Sequence, residues 1–373
     1  MKKLSNPKTE LLEHSKAKVD LYIYYFSIYL NILHRAGFQK IYIYDLFAGE
    51  GIYENGEKGS AVLEVEKIRD HYNNNYNTCP NIKLILNDEG NSEIEEDILK
   101  IERVKRECEV IQIPDNVEIV YTKRDYNEII HEIIEELNSL ENNERALLFL
   151  DPYGYKDIDL EILKTILSNK KTEVILFLPI DHMYRFIEKS KDEKFQGGFQ
   201  LRKFMSELFP KGFPTVDSPI EFINILEIQL HKYLDIFGID TFTIEKQRNK
   251  FYTLFFFTNN ERGFCTWLES KWKLDEEEGT GYRFDGNIQA LFSLKKLNYQ
   301  NNLIKFLKEK DIVTNIHLYW FGLNNGMLPK HSHKILTELK KEDRIEIISL
   351  DGKPNRSFYL NDKSRNVQIV LKN

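Results

Sequence analysis

Cysteine is scarce: Cys79, Cys108 and Cys265 are the only three in 373 residues, and they lie far apart. That scarcity excludes a disulfide framework, and the spacing predicts no thiolate metal cluster. No apolar run reaches the ~20 residues that a membrane-spanning helix needs. No basic-then-apolar segment opens the chain, so a cytoplasmic protein without a membrane partner is expected. The sequence also lacks a spaced cluster of acids and histidines, which leaves a metal nuclease unsupported and predicts no metal ligand. The nicotinamide pattern G-x-G-x-x-G is missing too, because Gly49-Glu50-Gly51-Ile52-Tyr53-Glu54 does not supply it.

What is present is ample core material, with 42% hydrophobic and 13% aromatic residues. A chain of this length predicts two or three compact units. Charge is divided unevenly. The whole carries 52 basic and 59 acidic residues, net -7. Residues 291–373 hold 15 Lys and Arg against 8 Asp and Glu, net +7, which leaves -14 on the remainder. A basic tail on an acidic body points to polyanion contact by the tail, and a solvated lysine-rich surface is the alternative.

The most informative stretch is Tyr42-Ile43-Tyr44-Asp45-Leu46-Phe47-Ala48-Gly49-Glu50-Gly51. A strand over 40–45 ends in an acid, and a turn with alternate glycines follows. Gly49 and Gly51 can take backbone conformations closed to other residues, which lets a ligand lie close against the main chain. The pattern D-x-F-x-G-x-G is similar to the opening of Rossmann-like S-adenosylmethionine-dependent methyltransferases. That resemblance implies a cofactor held by Asp45, Phe47, Gly49 and Gly51. A strand-to-helix turn without a ligand is the plainer alternative.

A second strand over 82–89 ends in Asp88 and Glu89, where open α/β sheets place ligand contacts. Glu89, with Asp88 close behind, is the candidate bridge between two ribose hydroxyls; helix capping is the alternative for Asp88. The interval from Asp45 exceeds the ~20 residues expected for such an acid, which predicts an insertion around Asn73-Asn74-Asn75. Asp125, after a strand over 117–121, is either an acceptor for an adenine amine or a helix cap.

Ala146 to Leu150 is an unbroken apolar run, as in a strand buried on both faces, and it leads into Asp151-Pro152-Tyr153-Gly154. The motif resembles the D-P-[FY]-G of tRNA guanine-N2 dimethyltransferases rather than the D-P-P-Y of adenine and cytosine amino-methyltransferases. In such enzymes the acid and the proline carbonyl accept hydrogen bonds from an exocyclic amine. The ring of Tyr153 would stack on the base, a contact worth ~1–3 kcal/mol in single-strand binders.

Elsewhere, residues 8–36 read as helix with Leu21, Tyr24, Tyr25, Ile28 and Ile32 on one buried face. A strand over 174–179 precedes Asp181 and His182. His182 is either a proton acceptor or phosphate contact, or a structural histidine. A helical insertion spans about 185–235, and Lys189, Lys191, Lys194, Arg202 and Lys203 within it are either a substrate channel or a solvated face. Strands over 241–244 and 251–258 follow.

Most of the chain resembles the three-Cys-motif partner family. The matching features are an N-terminal helix with His14 and Lys18, Asp45 to Gly51, Leu150 to Gly154, and Phe256 to Gly263 running into Trp267, Trp272 and Lys273. The resemblance implies a methyltransferase-like fold with a C-terminal winged helix, and a cysteine-motif radical-type partner protein. The tail itself reads as a helix over 302–310, a second capped by Thr314, and a third over 329–341 with Ile335, Leu336 and Leu339 inward. Lys330, His331, His333 and Lys334 form its candidate nucleic-acid face. Strands over 345–350 and 357–360, joined by a turn carrying Lys353 and Arg356, read as the wing.

The expected architecture is α/β. A Rossmann-like S-adenosylmethionine-dependent methyltransferase domain occupies 1–285, and a winged helix-turn-helix domain occupies 290–373. The expected activity is methylation of an exocyclic amine of a nucleic-acid base, DNA or RNA. A non-catalytic nucleic-acid-binding or defence effector that retains the fold is the alternative.

Overall fold

The computed structural model describes residues 6, 8–75, 79–152, 154, 158–191, 194, 198–247, 250–275, 279, 281–283, 289–310, 312–350, 358–361, 363 and 365–372. Tyr153, Lys353 and Arg356 lie outside them. The chain divides into two compact units, Met1–Ser270 with Thr280–Phe284, and Lys271–Gly279 with Asp285–Asn373.

The first unit is a Rossmann-like α/β fold. Its elements are α1 (Glu13–Arg35), β1 (Lys40–Asp45), α2 (Ser60–Asn74), β2 (Asn81–Asn87), α3 (Lys100–Glu109), β3 (Val117–Thr122), α4 (Tyr126–Asn138), β4 (Glu144–Leu150), α5 (Leu160–Ser168) and β5 (Thr172–Leu178). Then come α6 (Ile180–Ser190), α7 (Phe199–Leu208), α8 (Pro219–Leu234), β6 (Gly238–Gln247), β7 (Lys250–Thr258), α9 (Glu261–Leu274) and β8 (Gly281–Arg283). One sheet runs β3-β2-β1-β4-β5-β7-β6-β8. Strands β1 to β5 are mutually parallel, and β7 runs antiparallel to both β5 and β6. Ile41 to Asp45 and Ala146 to Leu150 are buried throughout, as central strands covered on both faces must be. The strand order reverses direction between β1 and β4. Crevices form at such switch points, outside the carboxyl ends of the strands.

Local chemistry sets the helix starts. Asp159 accepts hydrogen bonds from the Glu161 and Ile162 amides to open α5, and Ser218 caps α8 ahead of Pro219. Helix α1 differs from expectation in its inward face. Leu21 and Tyr25 are buried, but Tyr24 is 38% exposed, and Tyr22, Phe26, Tyr29 and Leu30 are buried instead of Ile28 and Ile32. The helix is apolar on most sides, so packing decides. Tyr22 stacks on Phe149 of β4 at 4.0 Å, and Tyr25 meets Phe256 and Trp267 edge-on. The extra length between Asp45 and Asp88 is also placed differently. Asn73 and Asn74 close α2, while residues 46–59 fold back through an antiparallel bridge between Ile52 and Lys58.

The second unit holds the end of α9, α10 (Gln289–Glu309), β9 (Val313–Thr314), α11 (Asn315–Asn324), α12 (Pro329–Lys341), β10 (Ile345–Ser349) and β11 (Val367–Leu371). Thr314 caps α11 through the His317 amide, and Ile335, Leu336 and Leu339 of α12 are buried. A small antiparallel sheet runs β10-β11-β9. The strand paired with β10 is Val367–Leu371, not 357–360: Phe358–Leu360 are not in a strand. Buried Val367 and Ile369 alternate with Gln368 and Val370, giving β11 the two-residue period that the pairing requires. Among the described residues no helix is long and apolar enough to cross a membrane.

Candidate active site

A cavity of about 460 Å³ opens at the switch point. Phe47, Ala48 and Gly49 line it from beyond β1, and Asp151, Pro152 and Gly154 from beyond β4. Phe177 and Pro179 close it beside β5, His14 and Lys18 descend from α1, and Lys246 and Tyr252 reach in from β6 and β7. The two motifs singled out in the sequence, about a hundred positions apart, are thus brought to one crevice.

The glycine turn is braced from beneath. Gly49 has φ +66° and Gly51 φ +78°, backbone that disfavours any side chain. Only Gly49 faces the cavity. A Cβ on Gly51 would sit 3.3 Å from Val104 Cα, so that glycine serves the close approach of α3. Glu50 between them is buried and ion-paired with Arg103 at 2.5 Å. Arg103 also donates to the Glu50 and Ile52 carbonyls, each at 3.0 Å. Sequence reading missed this clamp, because the two residues lie 53 positions apart.

The acids expected to hold a cofactor fall into three groups. Asp45 is fully buried and does not reach the cavity wall. Its carboxylate accepts from the Ser60 hydroxyl at 2.5 Å and from the Phe47 amide at 3.3 Å. Burial pushes its carboxyl up, and those two donors pull it the other way. Asp88 acts similarly, accepting from the Gly49 amide at 2.9 Å and the Gly90 amide at 2.8 Å. Burial raises it too, against the pull of Lys100. It is neither a helix cap nor part of the wall. Asp125 is the N-cap of α4, accepting from the Asn127 amide at 2.8 Å. Glu89 is exposed beyond the carboxyl end of β2.

Of the acids in the two motifs, Asp151 lines the cavity, as Glu10 and Asp181 also do. Lys18 donates to Oδ2 of Asp151, and the same ammonium lies 4.4 Å from the centre of the Phe177 ring. Burial, then Lys246 and Lys18, lower the His14 imidazole to about 4, so it is neutral across the physiological range. Its ring stacks on Tyr252, which stacks in turn on Phe177 at 5.3 Å. His182 is exposed, lines the cavity, and has its imidazole lowered by burial and Arg185. Lys203 pairs with Asp159 at 2.7 Å, away from the wall. Lys246, Phe177 and Tyr252 carried no motif; the strands of Phe177 and Tyr252 were legible, whereas Lys246 lies beyond the strand expected over 241–244.

In the second unit, Lys330, His333 and Lys334 are exposed along α12. His331 is turned inward instead. Its Nδ1 accepts from the Leu328 amide at 3.2 Å, and its ring centre lies 3.8 Å from that of Trp272. His333 stacks on Phe358 at 4.6 Å.

Neither a family model nor a curated protein matches the chain. Among solved structures it is similar to an O-methyltransferase from Bacillus cereus in complex with SAH, at 9% identity over 64% of this chain and 80% of that one, TM-score 0.30. It is similar also to the O-methyltransferase TomG from Streptomyces achromogenes in complex with SAM, at 12% identity over 67% and 92%, TM-score 0.31. A loganic acid methyltransferase with SAH aligns at 11% identity over 80% and 92%, TM-score 0.30. Similarity at this level shows neither a family nor an activity for this chain.

Proposed function

We propose that this chain is an S-adenosylmethionine-dependent methyltransferase whose acceptor is an exocyclic amine of a nucleic-acid base. One observation carries the reading: the switch-point crevice sets the Gly49 turn against the Asp151-Pro152 turn. A cavity of about 460 Å³ suits a nucleoside-bearing ligand. Gly49 offers bare backbone there, and a Cβ would intrude within 3.2 Å of the Tyr53 hydroxyl. Phe47 to Gly49 would hold the cofactor, with exposed Glu89 accepting from its ribose hydroxyls. Asp45 and Asp88 would contribute by fixing the turn. When bound, the cofactor supplies an electrophilic methyl group.

The protein's own residues would orient the amine. Lys18 engages Oδ2 of Asp151, so an amine hydrogen would meet Oδ1. The Pro152 carbonyl would take the second hydrogen and direct the nitrogen lone pair at the methyl group. Neutral His14, in the same wall, is an acceptor for the proton that the amine must lose. Such a base has to be single-stranded or flipped to enter. Tyr153 is the ring expected to stack on it, and Phe177 and Tyr252 supply further aromatic wall.

The second unit would present nucleic acid through Lys330, His333 and Lys334, with α11, α12 and the β10-β11 hairpin as a winged helix-turn-helix. Membership of the three-Cys-motif partner family, with a radical-type partner protein, belongs to the same proposal and rests on the sequence resemblance. The competing reading is an effector that retains the fold without transferring methyl groups. It draws support from the engagement of Asp45, Asp88 and Asp125 in internal hydrogen bonds.

The test is transfer of a labelled methyl group to single-stranded RNA and DNA oligonucleotides. Asp151→Asn is expected to lower the rate ~100-fold or more, the scale of losing one preorganised hydrogen-bonding group. Turnover unchanged in that variant would sink the assignment of Asp151.

A further inference from the structure

A cluster far from the crevice combines two histidines and a cysteine. His34 lies in the last turn of α1, His71 in the last turn of α2, and Cys79 just ahead of β2. Each offers one ligand atom, and the three atoms lie within 4.8 Å of one another. The two imidazoles meet nearly edge to face, with ring centres 5.2 Å apart.

His71 supplies the independent observation. It is 6% exposed, and its Nε2 is buried without a hydrogen-bond partner. Leaving such a nitrogen unsatisfied is costly, and in native proteins it calls for a missing partner. Around Cys79 the competition is weak: its thiol approaches the Asn75 carbonyl at 3.5 Å, and a thiol is a poor donor.

We infer that His34, His71 and Cys79 bind a zinc ion, with water in the fourth position. Two imidazoles and one thiolate suit zinc and are a poor set for magnesium or calcium. Tetrahedral bonds of roughly 2.0–2.3 Å bring ligand atoms to about 3.5 Å apart. The present arrangement, at 4.8 Å or less, therefore needs to contract by about 1.3 Å at most, within the reach of side-chain rotation. Binding replaces the Cys79 S–H bond with a Zn–S bond and releases one proton to solvent.

The position assigns a role. All three ligands lie at the amino ends of the parallel strands, ahead of β1 and β2, whereas the crevice lies at the carboxyl ends. The ion would tie the end of α1 to the end of α2, and the start of α1 carries His14 and Lys18. This is a structural staple, independent of the proposed methyl transfer.

The experiment uses the full chain, stripped with a chelator and titrated with zinc sulfate by calorimetry and with cobalt(II) by absorption. One zinc per chain is expected, together with thiolate-to-cobalt charge transfer and tetrahedral ligand-field bands. Cys79→Ser is expected to abolish the charge-transfer band. His34→Gln, at a half-buried position, is expected to weaken zinc binding beyond the ~10–100-fold that loss of an outer-shell partner costs. No zinc uptake by the folded chain, uptake without the charge-transfer band, or equal affinity in both variants would each overturn the site.

Discussion

Asp45 and Asp151 occupy equivalent places on adjacent central strands, yet they face opposite fates. Asp45 is the last residue of β1, paired in register with Phe149 and Leu86, and is buried beneath the glycine turn. Asp151 follows β4 by one residue and stands in the cavity wall beside Lys18. Asp151 thus lies two residues beyond the register partner of Asp45, and that offset separates a brace from a wall residue. An acid at a strand end therefore marks where the cavity lies without saying which acid lines it.

The largest effect that sharpens this comparison concerns the clamp under the turn. Arg103→Ala leaves Glu50 buried without its cation and is expected to cost ~3–5 kcal/mol in denaturant unfolding. A small loss would mean that the turn does not depend on the clamp.

A buried carboxyl remote from the crevice offers a pH test. Burial raises Glu173 to about 7, although Tyr25 and Thr258 both donate to it. Between its ordinary value near 4.5 and about 7, the native state holds a proton that the unfolded chain has lost. Stability from this group is thus present at the acid end and declines as pH rises through that window. Relative to Glu173→Gln, the wild type is expected to lose up to ~3 kcal/mol between pH 4.5 and 7.5. Parallel pH profiles for the two proteins would contradict the assignment.

Next in size is the direct contrast. Asp45→Ala strands the Ser60 hydroxyl and the Phe47 amide and is expected to cost about 2 kcal/mol. Asp151→Asn is expected to cost about 1 kcal/mol or less, since its ion pair is partly solvated. Thermal unfolding of both variants under one set of conditions checks the order. The reverse order would exchange the roles of brace and contact group.

Much of the frame was legible in the sequence. Strand β1 and helix α12 fall where apolar patterning and a leading proline place them. The buried face of α1 was not, because a helix apolar on most sides takes its orientation from Phe149 and Phe256 rather than from its own period. Strand β11 was missed because its five alternating residues follow a polar stretch, and its partner β10 lies well upstream. Within the site, the Gly49 and Asp151 turns were readable as motifs. The Lys18–Asp151 pair spans 133 positions and was not legible; the two residues appeared only as separate features of the family resemblance. His34, His71 and Cys79 form no linear pattern at all, and only the packing of α1 on α2 brings them together.

The central claim is that the crevice holds S-adenosylmethionine against the Gly49 turn. Calorimetric titration of the wild-type chain and of Gly49→Val, with folding verified by circular dichroism, tests it most directly. Saturable one-to-one binding to the wild type and its loss in the variant is the expected result. No binding to the folded wild type, or equal affinity in Gly49→Val, would contradict it.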